Sequence, residues 1–350
     1  MINNNNFDIY AWACDLEDYR GEGILGRNFL KHLSQVKKNK SIFVETPESN
    51  YYIKNSKIKK LKKKKIKNLN FNFFFNYINP LIGILKLRLT NKKKEKCYVN
   101  FLPLWNFIIF YFLPKNTILG PITGSVYYSK VKNFNEFLRK YLIPIFYRIS
   151  AIVSRRKNFK LLFTTELLKK YTNKIAKKKK FFYYNLINFE NQKDRIIVKK
   201  NIDFLFYYRK YSAHDSTSQI NIIKKLSERN FKIVVIGNKL NIPNVKNRGI
   251  IPRESVFKIL KKTKYSINEA TNFYSIFLLD CVACGVKIFY DKKSHKKNFL
   301  LPKKYFFKID FNESKKSSNI IIKNIMKYKT VENFKFNKKI FLKFYKNYFI

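Results

Sequence analysis

Acidic residues, glycine, proline and histidine are all scarce in this chain of 350 residues, which has 22 Asp and Glu against 74 Lys and Arg, 9 Gly, 9 Pro and 3 His. Three scattered histidines, His32, His214 and His295, exclude a multi-histidine metal centre and a Ser/His/Asp triad, and His32 falls in the first expected helix. Of the 4 cysteines only Cys281 and Cys284 form a CxxC pair. Zinc requires a second pair, and Cys14 and Cys97 stand alone, so small buried thiols are expected. The longest apolar runs, Phe101 to Leu113 and Tyr141 to Val153, are broken by Pro103, Asn106, Pro144 and Arg148. They fall short of the roughly 20 residues a membrane-spanning helix needs. The N-terminus, MINNNNFDIY, has no basic region followed by a long apolar one, hence no signal-peptide pattern. A cytoplasmic protein, free or resting on the inner face of the plasma membrane, is the expectation.

What is abundant is lysine, at 62 of the 74 basic residues, together with Asn, Ile, Phe and Tyr. Such a composition is that of an AT-rich genome, and it spreads charge over solvated surfaces. With 46% apolar residues the chain is no disordered one, and its length suits two domains with a core each. A net charge of +52 attracts anionic partners: membrane phospholipid, sugar nucleotide or nucleic acid. The dense runs Lys57 to Lys67, Lys92 to Lys96 and Lys177 to Lys180 read as solvated loops or as a membrane-facing patch. Nucleic acid is not expected, since no RRM, KH or zinc signature and no stacking motif accompanies the charge.

The pattern along the chain is alternating strand and helix. Strands are expected at Phe7 to Ala13, Ser41 to Glu45, Tyr98 to Leu102, Thr117 to Gly120 and Leu161 to Thr165, with helices at Gly23 to Gln35 and Asn135 to Ser154. The latter helix suits a core or a membrane surface equally. Residues 176–198 change character and suit an interdomain connection. The pattern then restarts with strand Asp203 to Tyr208, helix Gln219 to Glu228, strand Lys232 to Ile236, helix Arg253 to Lys261, strand Tyr265 to Ile267, helix Tyr274 to Ala283 and strand Val286 to Phe289. The expected domains are therefore 1–185 and 198–330, each a doubly wound α/β domain, with an aromatic and lysine-rich helix at 337–349.

The most informative stretch is Ser266 to Tyr290, SINEATNFYSIFLLDCVACGVKIFY. It is a β-α-β unit whose polar residues gather where strand hands over to helix, the edge at which open α/β sheets bind ligands and at which helix N–H groups favour phosphate. Upstream, YYRK (Tyr207 to Lys210) ends a strand, and Arg248, Gly249 and Ile250 precede a helix. Arg209 suits bidentate phosphate binding or a solvated basic turn. In the first half, RGEGILG (Arg20 to Gly26) follows the first strand. Asp15, Glu17, Asp18 and Glu22 crowd that strand's end, where a carboxylate can act as a general base. In LGPITGS, Leu119 to Ser125, the glycines around a proline make a rigid turn, structural or able to meet a phosphate.

The second half resembles family 4-type glycosyltransferases of the GT-B fold, two Rossmann-like domains facing a cleft. Their donor element has a Glu, seven residues, a second Glu, small residues and a Gly. Counting back from Gly285 places Asn272 and Asp280 at the two acidic positions, so layout matches and identity does not. The resemblance implies that Arg209, with Lys210 or His214, grips a donor diphosphate and that Gly249 and Ile250 lie against the base. It also implies that Glu269, Asn272, Tyr274, Ser275 and Asp280 line the donor site. Gly21 and Gly23, with Gly120, Thr123 and Gly124, become acceptor or phosphate loops, and Asp15 and Glu22 the candidate bases. The implied function is sugar transfer from a nucleotide-diphosphate sugar to a hydroxyl of a surface glycan or lipid-linked acceptor, retaining, with no metal and no cofactor. The alternative is a degenerate member that binds nucleotide or glycan without turnover. By the same resemblance, the C-terminal helix would cross back onto the first domain.

Overall fold

Every residue of the strand Ile9–Ala13 (β1, IYAWA) is buried, as expected of a strand at the centre of a parallel sheet covered on both faces. The computed structural model describes residues 7–18, 21–37, 40–63, 72–100, 102–124, 134–164, 168–172, 199–209, 217–268, 275–292 and 301–327. The described residues divide into two compact units, 7–172 and 199–327.

In the first unit β1 is followed by α1 (Gly21–Val36), β2 (Ile42–Glu45), β3 (Ser49–Lys54), β4 (Lys57–Lys63), α2 (Asn72–Leu89), β5 (Glu95–Val99), β6 (Leu102–Pro103) and α3 (Phe107–Phe112). Next come β7 (Ile118–Thr123), α4 (Phe134–Phe137), α5 (Ile143–Arg156), β8 (Lys160–Phe163) and α6 (Lys169–Thr172). The strand order is β4-β3-β2-β1-β5-β7-β6, with β8 also on β7. β1 pairs in parallel with β2 on one side and β5 on the other, so the winding reverses at β1. Right-handed crossovers running in opposite directions put their helices on opposite faces. One core gathers Trp12, Leu87, Tyr98, Phe110, Tyr147 and Phe163 from the strands and from α2, α3 and α5.

Three departures from the sequence reading have local causes. The lysine run expected as a loop is in part the edge strand β4: Asn55 and Ser56 take φ of 49° and 65°, the paired positive values of a two-residue hairpin turn, and β3 pairs with β4 antiparallel. Lysines on an edge strand also discourage a further strand from adding there. The segment Leu119 to Thr123 is strand and not loop. Gly120 and Pro121 lie buried inside β7, at an irregularity of the β7–β8 pairing between Leu119 and Ile122 that accommodates a residue without an N–H. The long helix is continuous from Phe134 to Arg156 but widens to a π-turn at Leu138–Leu142, where the Ile143 N–H reaches the Leu138 carbonyl. Pro144, just beyond, has no N–H for the α-pattern.

The second unit runs β9 (Ile202–Tyr208), α7 (Thr217–Ser227), β10 (Ile233–Gly237), β11 (Val245–Asn247), α8 (Arg253–Lys261), β12 (Thr263–Ile267), α9 (Ile276–Ala283), β13 (Lys287–Asp291), β14 (Phe306–Ile309) and α10 (Ser314–Met326). Its strand order is β11-β10-β9-β12-β13-β14, every pairing parallel. That is the doubly wound order of a dinucleotide-binding domain, with its switch point between β9 and β12. The core stacks Phe204 on Phe206 at 5.8 Å and Tyr265 on Phe289 at 5.2 Å. α9 ends in Gly285 at φ 64°. The Val286 N–H bonds to the Cys281 carbonyl and the Gly285 N–H to that of Val282, so both bonds of a Schellman cap are made. Lys200, before β9, donates to the carbonyls of Thr263, Cys284 and Gly285 at 2.7–3.0 Å, a cation at the helix C-terminus where the dipole favours one. β14 and α10 are elements that the sequence pattern does not predict. The expected helix at 337–349 and the connection at 176–198 lie outside the described residues.

Gly83 in α2 sits against the Trp12 indole, which occupies the space a side chain would need. Gly83→Ala is expected to cost about 1–3 kcal/mol by overpacking, with a shifted tryptophan emission. Urea unfolding followed by fluorescence measures both.

Candidate functional site

The carboxyl edge of the second sheet collects the ends of β9, β10 and β12 and the start of α9. β9 ends in Tyr207, Tyr208 and Arg209. The Arg209 guanidinium lies 5.0 Å from the centre of the Tyr207 ring, and its Nε donates to the Tyr207 hydroxyl oxygen at 2.7 Å. The Tyr207 ring in turn meets that of Phe277 at 5.5 Å. Phe277 is in the first turn of α9, whose N-cap Ser275 accepts from the Leu278 N–H at 3.2 Å. Tyr207 thus ties an exposed cation to a helix start whose first N–H groups have no partner one turn earlier. The opposite end of that helix is closed by Gly285, so α9 is held at both termini.

β10 ends in Gly237, whose φ of 95° and crowding by the Tyr208 carbonyl exclude a side chain. The Asn238 N–H bonds to that carbonyl, and the Gly237 N–H to the carbonyl of Gly249, each at 2.9 Å. Within the chain itself, the backbone is crowded at Gly237. Gly249 has open space where a Cβ would go and is required instead by its φ of 69°. Ile250 beside it is 68% exposed, an apolar side chain on this edge. Gln219 of α7 donates to the Ile267 carbonyl at 3.0 Å from a buried position and fixes the end of β12.

Asp280, one turn into α9, does not face solvent. Its Oδ1 accepts from Nη2 of Arg253 at 2.5 Å, and both side chains are 9% exposed. Arg253, the first residue of α8, was not among the sequence candidates. A cation at a helix N-terminus opposes the macrodipole, and that misfit is the signal that points to a partner elsewhere. Its guanidinium also stands 5.4 Å from the Phe257 ring centre. Among the described residues, Nε and Nη1 of Arg253 find no hydrogen-bond partner. Burial lifts the Asp280 carboxyl from 3.8 to about 6, against the opposing pull of Arg253. The pair clamps α8 to α9.

The remaining candidates divide clearly. Lys210, His214, Glu269, Asn272 and Tyr274 lie outside the described residues, as do Arg20 and Ser125. In the first unit, Asp15 at the end of β1 accepts from the Tyr51 hydroxyl at 2.5 Å and from the Glu17 N–H at 3.3 Å. Burial and that bond raise the Tyr51 phenol. Gly21 and Gly23 form the first turn of α1, not a loop, and the chain at Asp18 packs where a Gly23 side chain would be. Glu22 occupies the same turn. Gly120 is a packing residue: a Cβ there would lie 2.9 Å from that of Leu162. Thr123 ends β7, and Gly124 abuts Leu168. Arg209, Gly249, Ile250 and Ser275 therefore belong to one sheet edge in the second unit, and Asp15, Gly21 and Gly23 to the strand–helix junction of the first. No disulfide joins the 4 cysteines, and Cys97, Cys281 and Cys284 are buried. Among the described residues no group of three or more His, Cys, Asp or Glu converges, and no helix is long and apolar enough to cross a membrane.

Two α/β units, the second with an all-parallel doubly wound sheet, define an α/β protein of the GT-B class, the fold expected from the sequence. Among solved structures the chain is similar to sucrose-phosphate synthase from Thermosynechococcus elongatus, with a TM-score of 0.58 at 9% identity over 91% of this chain and 90% of that one. It is similar to WaaG, a glycosyltransferase involved in lipopolysaccharide biosynthesis, at 0.51 and 12% identity over 90% of each chain. HepE from Anabaena, solved in complex with UDP, gives 0.51 and 10% identity over 91% and 90%. At these identities the likeness is one of fold. No protein-family model matches the chain, and no curated protein matches it in sequence.

Arg253→Met leaves Asp280 buried without its cation and is expected to cost about 3 kcal/mol at pH 8. A carboxyl raised in the folded state contributes stability that is complete below its unfolded value near 4 and lost as pH rises through its folded value near 6. Arg253 holds that folded value down, so without it the loss continues to higher pH. The cost of the substitution should therefore shrink below pH 5, as measured by urea unfolding and hydrogen exchange of the α9 amides.

Proposed function

We propose that this protein is a glycosyltransferase that moves a sugar from a nucleotide-diphosphate sugar to a hydroxyl of a cell-surface glycan or lipid-linked acceptor, in polysaccharide or lipopolysaccharide synthesis. The observation that carries this reading is the linkage of Arg209, through Tyr207, to the first turn of α9 at the switch point of a parallel sheet. As the glycosidic C–O bond breaks, negative charge collects on the leaving diphosphate. A guanidinium and a helix N-terminus, fixed in advance on one sheet edge, stabilise that charge without reorganisation. Gly249 and Ile250, which follow β11 on the same edge, are assigned to the nucleotide base, and the reaction proceeds without a metal. Asp15 and Glu22, at the corresponding junction of the first unit, are assigned to accept the proton of the attacking hydroxyl. Retention of configuration follows the family 4 resemblance. The solved complexes of HepE with UDP and with UDP-glucose support a nucleotide sugar as the donor.

A second reading, nucleotide binding without transfer, is favoured by one observation: Asp280, at the second acidic position of the donor element, is held by Arg253. Titration with UDP and UDP-glucose, read as a thermal shift, separates the two when paired with an assay of sugar release and transfer. UDP at about 100 times its dissociation constant should add roughly 2.7 kcal/mol of stability. Arg209→Ala should weaken UDP binding by about 2 kcal/mol, roughly thirtyfold. Unchanged affinity in that variant removes the site assignment; binding without any turnover of the bound sugar nucleotide supports the second reading.

A further inference from the structure

We propose that the outward faces of α3 and α5 in the first unit form a docking surface for an anionic phospholipid bilayer. From α4 into α5, the exposed residues Phe134, Phe137, Tyr141, Ile145, Arg148 and Ile152 recur every three or four positions and so share one side of the helix. Tyr147, Ser150, Ala151 and Ser154, on its other side, are buried. A surface helix ordinarily carries polar residues outward. Here five of the six outward residues are apolar or aromatic, with exposures from 44% at Ile152 to 72% at Phe134. α3 extends the patch with Ile108, Tyr111 and Phe112 exposed and Trp105 just before it, and the Phe107 ring meets that of Phe146 in α5 at 5.2 Å. A contiguous exposed patch of this kind is rare on a surface that faces only water.

Charge selects the occupant. Between residues 72 and 157 the sequence has 15 basic residues and two acidic ones, Glu95 and Glu136, and Glu95 is already paired with Lys37 and Lys40. Cations rim the apolar patch. Arg88 donates from Nε to the Phe112 carbonyl at 2.9 Å, Lys157 donates to the Leu113 carbonyl at 2.7 Å, and Arg148, Arg155 and Arg156 are exposed along α5. An apolar stripe flanked by lysine and arginine is the pattern of a helix lying in the headgroup layer, its hydrocarbon side at the acyl boundary and its cations on lipid phosphates. Tryptophan and tyrosine are the side chains that settle at that boundary. A second copy of this chain would bring a like-charged rim against the same rim, which repels.

The proposal is independent of the transferase reading, and lipid binding tests it without any sugar. Full-length protein is sedimented with unilamellar vesicles of phosphatidylcholine, alone or mixed with phosphatidylglycerol, at low and high salt. Wild type should pellet with the mixed vesicles and much less with the neutral ones. The triple variant Ile108→Ser, Phe137→Ser, Ile145→Ser, all at exposed positions, should lose roughly tenfold or more in partition while keeping its circular-dichroism melt. Arg148→Gln with Arg155→Gln and Arg156→Gln should weaken binding to the mixed vesicles and flatten its salt dependence, which also serves if the serine variant fails to fold. Wild type that does not pellet, or serine and glutamine variants that pellet like wild type, overturn the proposal. So does a dimer in sedimentation velocity that the serine variant abolishes while no vesicle binding is seen, since the face is then an interface between copies.

Discussion

Parallel pairing of β9 with β10 on one flank and β12 on the other is the constraint from which the second unit follows. Parallel strands require crossovers, and crossovers of one hand that depart in opposite directions leave a gap at the carboxyl edge between the two central strands. Chain segments far apart in sequence, Arg209 and the start of α9 at Ile276, come to that edge for this reason alone. The apolar content of β9, β10 and β13 is what makes the sheet central: their inner residues are buried to the last atom at Phe204, Leu205, Val235 and Phe289. Burial on both faces leaves only the strand ends for polar chemistry. The first unit repeats the scheme around β1, and its polar candidates, Asp15 and the α1 start, again fall beyond a strand's carboxyl end.

On that edge, backbone geometry sets positions more than side-chain chemistry does. Gly237 and Gly249, both at positive φ, and the bond between them tie the exit of β10 to the exit of β11. Gly285 performs the corresponding service at the far end of α9. Between these fixed points lies the Arg253–Asp280 pair, which joins two helices through charges removed from water. Such a pair adds little net stability compared with apolar groups of like shape, but losing one partner is costly. Its effect is therefore on which arrangement of α8 and α9 is allowed.

Much of the fold was legible because strand and helix differ in period. The runs IDFLFYY, IVVIG and KIFYD are short and apolar, α8 repeats its apolar residues at helical spacing, and Ser275 and Gly285 mark the start and stop of α9. What escaped was governed by partners remote in sequence. KIKKLKK shows only charge until Asn55 and Ser56 fold it onto β3. LGPIT carries the glycine and proline of a turn, yet β5, β6 and β8 all pair with it and make it strand. β14 is recognisable through its register with β13, in which Ile288 faces Phe306.

The candidate site divides the same way. Sequence alone determined that Arg209 follows a strand, that Ser275 opens a helix and that Asp280 lies one turn beyond it, since chain order and local propensity fix these. It also determined the excess of cations over acids in the segment that forms α2, α3 and α5. Only the tertiary structure decided that Arg209 is bound through Tyr207 to the first turn of α9, that Asp280 belongs to Arg253, and that the apolar stripe of α5 faces outward. The reason is physical: periodicity tells which residues share a face, and packing against the sheet decides which face is covered.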